Sequence, residues 1–122
     1  MSKFVTVVAS VLLLAACGDT GSTNVDGLNN YTANCFSCHG TGGVGGIGPN
    51  ITFSTTAGIG AYSQTDLLTI VRTGTKPNGT VTCDTMTRFS ATQLSDAKVQ
   101  TIYTYLQTLK NDTVNKGSSC PH

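Results

Sequence analysis

Charge is scarce in this chain. Asp, Glu, Lys and Arg make up 11% of its 122 residues, less than half of the roughly 25% usual for soluble proteins. Seven Lys plus Arg stand against six Asp plus Glu. That balance leaves no basic stripe to neutralise a phosphate backbone, which excludes nucleic acid as a partner. Thr, Ser, Asn and Gly supply the polar surface instead, so the surface is uncharged rather than apolar. A long apolar run is also missing. The most apolar stretch, Phe4 to Leu14, is interrupted by Thr6 and Ser10 and is too short to cross a bilayer. Methionine is nearly absent: Met86 is the only one after Met1. The length leaves room for one domain once a targeting segment is removed.

The amino terminus reads as an export signal, with Lys3 as its positive start, the apolar run after it, and Leu14-Ala15-Ala16-Cys17 at its end. Those last four residues resemble a bacterial lipobox, in which the cysteine is acylated and becomes the first residue of the mature chain. An ordinary signal peptide with an incidental cysteine is the alternative. The expected organisation is a lipoprotein signal peptide over 1–16, a lipidated flexible linker over 17–26 and one folded domain over 27–122. The protein is then exported and held by Cys17 on a bacterial membrane, on the periplasmic or cell-surface side.

Export places the remaining cysteines in an oxidising compartment, where crosslinks are favoured over free thiols. Cys35 and Cys38 fall in Cys35-Phe36-Ser37-Cys38-His39, and Cys83 and Cys120 are left as a candidate disulfide pair. Two thiols three positions apart on a helical turn can form thioethers to both vinyl groups of one porphyrin. The next residue, His39, can then reach the iron, for which imidazole is a suitable axial ligand. A thioredoxin-like pair would expect a βαβ setting, and a zinc site would need further ligands, for which only Cys83, Cys120 and His122 remain. The expected cofactor is one covalent haem c.

Around that motif, Gly27, Tyr31, Gly40, Gly48-Pro49-Asn50, Gly74, Met86 and Tyr105-Leu106 stand in an order that resembles the class I c-type cytochromes. The resemblance runs from about Gly27 to Lys110. It implies an all-α fold of about three to five helices wrapped around the haem, with long loops and no substantial sheet. It also implies that Gly27 and Tyr31 face Ile102, Tyr105 and Leu106 of the last helix.

The residues themselves predict two helices of that set. Ser63-x-x-Asp66 reads as a helix start, Leu67, Ile70 and Val71 share a face, and Gly74 is a stop. Ser95 caps a second helix with Asp96 in its first turn, and Val99, Ile102, Leu106 and Leu109 repeat at helical spacing before Lys110. Between the haem motif and Pro49 lies a glycine-rich stretch containing Gly43-x-Gly45-x-x-Gly48. It is not a dinucleotide fingerprint, because no strand precedes it and Pro49 breaks the helix that should come after it. A loop passing close to the porphyrin edge accounts for it better.

By resemblance, the Pro49 carbonyl accepts the Nδ1 proton of His39, fixing the tautomer and raising the ligand's basicity; a simple Gly-Pro turn is the alternative. Met86 takes the place of the family's sixth iron ligand, with Thr87 where the family commonly has proline. The alternatives are Met86 as core filler and His122 as the rival ligand. A Cys83–Cys120 bond would lace the tail over the Met86 loop, adding at most about 4 kcal/mol in the chain-entropy model; two unpaired thiols are the other reading. The expected function is single-electron transfer between membrane-associated redox donor and acceptor proteins by a monomer, with no catalytic residues. The rivals are a haem-based small-ligand sensor and an electron-input subunit of a larger oxidoreductase.

Overall fold

The computed structural model describes residues 20–118. Among these residues there are four helices, α1 (Thr20–Asn34), α2 (Phe36–His39), α3 (Gln64–Thr73) and α4 (Asp96–Gln107), with a 3-10 turn at Thr41–Gly43. Among the described residues the only β-type pairing is one isolated antiparallel bridge, Thr75 to Val81. The fold is therefore all-α with long loops, as the sequence predicts. No helix among the described residues is long and apolar enough to cross a membrane. α1 opens at Thr20, inside the stretch 17–26 expected to be a flexible linker, so helical structure begins before Gly27. The sequence gives little sign of this, since Val25 is the only aliphatic residue in the stretch 20–26.

The crossing of α1 over α4 is the frame of the molecule, and Gly27 sets its distance. A Cβ on Gly27 would lie 2.3 Å from the Thr101 carbonyl oxygen and 2.6 Å from the Cβ of Tyr105, so only a residue with no side chain admits this approach. Beside it the Tyr31 and Tyr105 rings pack at 5.5 Å, and Asn30 donates to the Thr101 hydroxyl across the same crossing at 3.0 Å. Tyr31 is buried and joins Leu67, Val71, Leu94, Val99, Ile102 and Leu106 in one core. Leu106 is wholly enclosed, a burial that contributes about 1.5–3 kcal/mol relative to an exposed leucine.

The two predicted helices begin where their caps place them. The Ser63 hydroxyl accepts from the Asp66 N–H at 3.1 Å while the Asp66 carboxylate accepts from the Ser63 N–H at 2.8 Å, a reciprocal cap that satisfies two donors which α3 itself cannot. Gly74 ends α3 in the left-handed region at φ 77°. Ser95 caps α4 by accepting from the Lys98 N–H at 3.3 Å. α3 and α4 are tied by Arg72, which donates to the Phe89 and Leu94 carbonyls at 3.0 and 2.7 Å and pairs with Asp96 at 2.5 Å.

After α4 the chain does not leave the molecule. Residues 109–118 run back as an extended strap along the loop 45–54. The Phe53 N–H donates to the Leu109 carbonyl, Asn50 N–H to Asn115, and Ser118 N–H to Ile47, at 2.8, 2.8 and 2.9 Å. Asn50 is the centre of this contact. Its side-chain nitrogen donates to the Asn111 and Thr113 carbonyls, both at 2.9 Å, and its side-chain oxygen accepts from the Thr52 N–H and hydroxyl. Ser54 donates to Asp112 at 2.6 Å. Asn50, Thr52 and Ser54 are buried and remain cheap to bury because their polar atoms are met.

Candidate haem site

α1 and α2 are nearly continuous, with backbone bonds from Cys35 N–H to Tyr31 and from His39 N–H to Cys35, at 2.8 and 2.9 Å, carrying the helical path through the junction. Cys35 and Cys38 therefore sit on one turn, both as free thiols, with His39 at its end. Tyr31 closes the turn by donating its hydroxyl to the Gly40 carbonyl at 2.6 Å. Burial, with the neighbouring Cys38 sulfur adding to it, pushes the Cys35 thiol up to about 12. The described residues also lack the βαβ setting that a thioredoxin-like pair would expect. Among the described residues no three of His, Cys, Asp or Glu come together as a metal cage.

His39 is buried, 8% exposed, and its Nδ1 stands 2.8 Å from the Pro49 carbonyl oxygen. A carbonyl only accepts, so Nδ1 carries the proton and the neutral ring keeps a lone pair on Nε2. Burial favours that neutral form, holding the His39 pKa below its ordinary value, with the Pro49 bond acting the other way. The ring is also gripped by main chain: a Cβ on Gly48 would lie 2.7 Å from His39 Cε1. Glycine at 48 and proline at 49 thus fix the plane and the tautomer of one imidazole.

Beside this turn lies a cavity of two adjoining lobes, about 400 and about 480 Å³, and His39, Cys35, Pro49 and Met86 border both. Cys38 and Cys83 border the first; Ile59, Leu67, Ile70, Ile102 and Leu106 give the second its apolar wall. The structure therefore brings Cys35, Cys38, His39, Pro49 and Met86 to one apolar cavity. This donor set fits a haem: two thiols at one edge, a neutral imidazole with a free lone pair, and a thioether. Cys83 is disulfide-bonded. Its expected partner Cys120, the expected lipid site Cys17 and the rival ligand His122 all lie outside the described residues.

One residue of the Met86 loop has a role that the sequence does not predict. Arg88 turns its guanidinium back into the loop and donates to the Met86 and Thr82 carbonyls at 2.5 and 2.9 Å. It also packs on Gly74, where a Cβ would lie 2.3 Å from its guanidinium carbon. The planar guanidinium, with five donors in a fixed fork, is suited to reaching several carbonyls at once. These bonds tie Thr82 and Met86 to one side chain. The only signal in the sequence is an arginine two residues past the methionine.

The family model described as cytochrome C oxidase, cbb3-type, subunit III matches residues 23–106. The chain belongs to this family. It is a class I c-type cytochrome domain, and the haem motif, the Gly27–Tyr105 crossing and Met86 all fall inside the match. Membership makes haem c the cofactor and haem-based electron transfer the chemistry that the cavity serves. No curated protein matches the chain. The cbb3-type subunit III match ends at 106 within α4, so the strap 109–118 lies beyond it.

Proposed function

We propose that this cytochrome is a single-electron carrier with one haem c, joined by thioethers to Cys35 and Cys38 and ligated by His39 and Met86. The observation supporting it best is the His39–Pro49 bond at 2.8 Å with Met86 bordering the same cavity. The haem supplies an iron that changes oxidation state by one electron. The protein presents a fixed imidazole, excludes water with an apolar wall, and holds the Met86 loop through Arg88 and the Cys83 disulfide, whose proposed partner is Cys120. Thioether ligation favours reduced iron relative to a second imidazole, so the potential is comparatively high. No residue is assigned a catalytic role. Acylation of Cys17 anchors the protein outside the cytoplasmic membrane, where membrane-associated redox proteins serve as donor and acceptor. Docking by a weakly charged surface is brief and depends little on salt.

The family's description as subunit III of cbb3-type cytochrome C oxidase favours a second reading, an electron-input subunit of such an oxidase; co-purification with larger subunits, and size, separate it from a free carrier. The test of ligation is the absorption spectrum of the oxidised holoprotein. A weak red-region band that is lost in Met86→Ala, with no carbon monoxide bound by the reduced wild type, is the expected result. No band and ready gas binding would replace the carrier with a small-ligand sensor.

A further inference from the structure

Three large apolar side chains stand in solvent along one helical path. Val25, Leu28 and Phe36 are 57%, 45% and 43% exposed. With Thr32, also exposed, they lie three, four and four positions apart, the spacing of one helix face. The path runs through α1 into α2, whose backbone bonds carry it across Cys35. The opposite face is the one that docks, with Gly27 against α4 and Tyr31 in the core. The Thr32 hydroxyl donates to the Leu28 carbonyl at 2.8 Å, so the polar member of the stripe satisfies its donor inside the helix. From Thr20 to Ser37 there is no Lys or Arg, and Asp26 is the only charged residue. Such a face has apolar area to offer and no charge with which to attract a partner.

What covers it follows from where the chain comes from. α1 opens at Thr20, three positions after Cys17, and three residues reach at most about 10 Å. Acyl chains on Cys17 therefore hold the start of α1 at the bilayer surface. From Val25 to Phe36 the stripe is about 16 Å long, too short to span a bilayer and suited to lying in its interface. Three partly exposed side chains would bind lipid weakly by themselves. With the acyl chains already inserted, the second contact is intramolecular and needs little affinity of its own.

We propose that the outer face of α1, with Val25, Leu28, Thr32 and Phe36, lies on the lipid surface beside the Cys17 anchor and fixes how the cytochrome is turned relative to the membrane. The inference rests on the lipoprotein reading above. The same helical path carries Cys35, Cys38 and His39, so a fixed α1 gives the haem turn a fixed angle to the bilayer. Membrane-associated donors and acceptors then meet one orientation of the protein instead of many.

The test is electron paramagnetic resonance of the oxidised, acylated holoprotein in oriented multilayers of phosphatidylcholine, a lipid with no net charge. A fixed orientation makes the ferric signal change as the multilayer is rotated in the field. The wild type should show this angular dependence and keep it when the protein is diluted in lipid. Val25→Gln with Leu28→Gln, which favours the helix at least as well, should lose it, with the acyl groups still found by mass spectrometry and the Soret absorbance and melting temperature unchanged. Val25→Leu with Leu28→Met should retain it. An acylated wild type without angular dependence, or a double glutamine variant that keeps it, would overturn the stripe and leave the anchor standing. Dependence that disappears on dilution in lipid would assign the stripe to a second copy of the chain and overturn the proposal. A mature chain with no acyl group on Cys17 overturns both.

Discussion

Replacing Gly27 by alanine tests the frame on which the haem turn is mounted. In an exposed helix the change would stabilise by about 0.5–1 kcal/mol, since alanine loses less backbone freedom on folding. Here the new Cβ would stand 2.3 Å from the Thr101 carbonyl oxygen and 2.6 Å from Tyr105 Cβ. Ordinary contact begins at about 3.5 Å, so α1 and α4 must part by about 1 Å. Both obstacles belong to the α4 main chain or to a Cβ fixed on it, and neither can swing aside. The Asn30–Thr101 bond and the Tyr31–Tyr105 packing lie on the same seam and would be stretched with it. Overpacking costs about 1–3 kcal/mol, and a rigid obstacle puts this case near the top. Set against the propensity gain, the net loss is about 2 kcal/mol. Urea unfolding of the holoprotein followed by far-UV circular dichroism reads it directly. With a slope of about 2 kcal/mol per molar, the midpoint should fall by about 1 M. A midpoint that stays put or rises would refute the reasoning and show that the crossing has room for a methyl group.

The loops and caps give two further predictions. Arg88→Ala removes the donors held by the Met86 and Thr82 carbonyls, hydrogen bonds to a charged group worth about 1.5–3 kcal/mol each before exposure is discounted. The methionine-to-iron band should then vanish at a lower urea concentration than the helical signal, and Arg88→Lys should not restore it. Asp66 is held below its usual 3.8 chiefly by the Ser63 backbone N–H, then by the Ser63 hydroxyl. With the folded pKa depressed, its stabilisation is present above the unfolded value and is lost as pH falls through the folded one. Melting temperatures of wild type should therefore drop below about pH 4, more steeply than those of Asp66→Asn, with the two curves converging in acid.

Legibility in the sequence followed the range of the interaction. α3 and α4 were readable because a capping serine, an apolar stripe and a stopping glycine lie within a dozen residues of one another. The placing of Cys35, Cys38 and His39 on one turn was legible because the two-residue spacer between the cysteines fits a single helical turn. Gly27, Tyr31 and Pro49 were readable only through resemblance, since nothing local says that a glycine meets a carbonyl 74 positions later. The strap was not legible at all. Residues 109–118 have no periodicity, and Asn50 finds its partners 61 and 63 positions away through main-chain carbonyls, which every residue type offers equally. Arg88 was missed for the same reason: its acceptors are backbone oxygens.

The strap has a practical consequence for anyone who makes this protein. A gene cut at residue 106, where the recognised domain ends, would strip Asn50 of the Asn111, Thr113 and Asn115 carbonyls in one stroke. The Asn50 amide nitrogen and main-chain N–H would lose their protein acceptors and their cover, one residue from the carbonyl that orients His39. Such a truncation should express poorly or take up its cofactor badly even though every residue of the family signature is intact. A purification handle belongs beyond residue 118 on a spacer long enough to leave the Ser118–Ile47 bond unstrained.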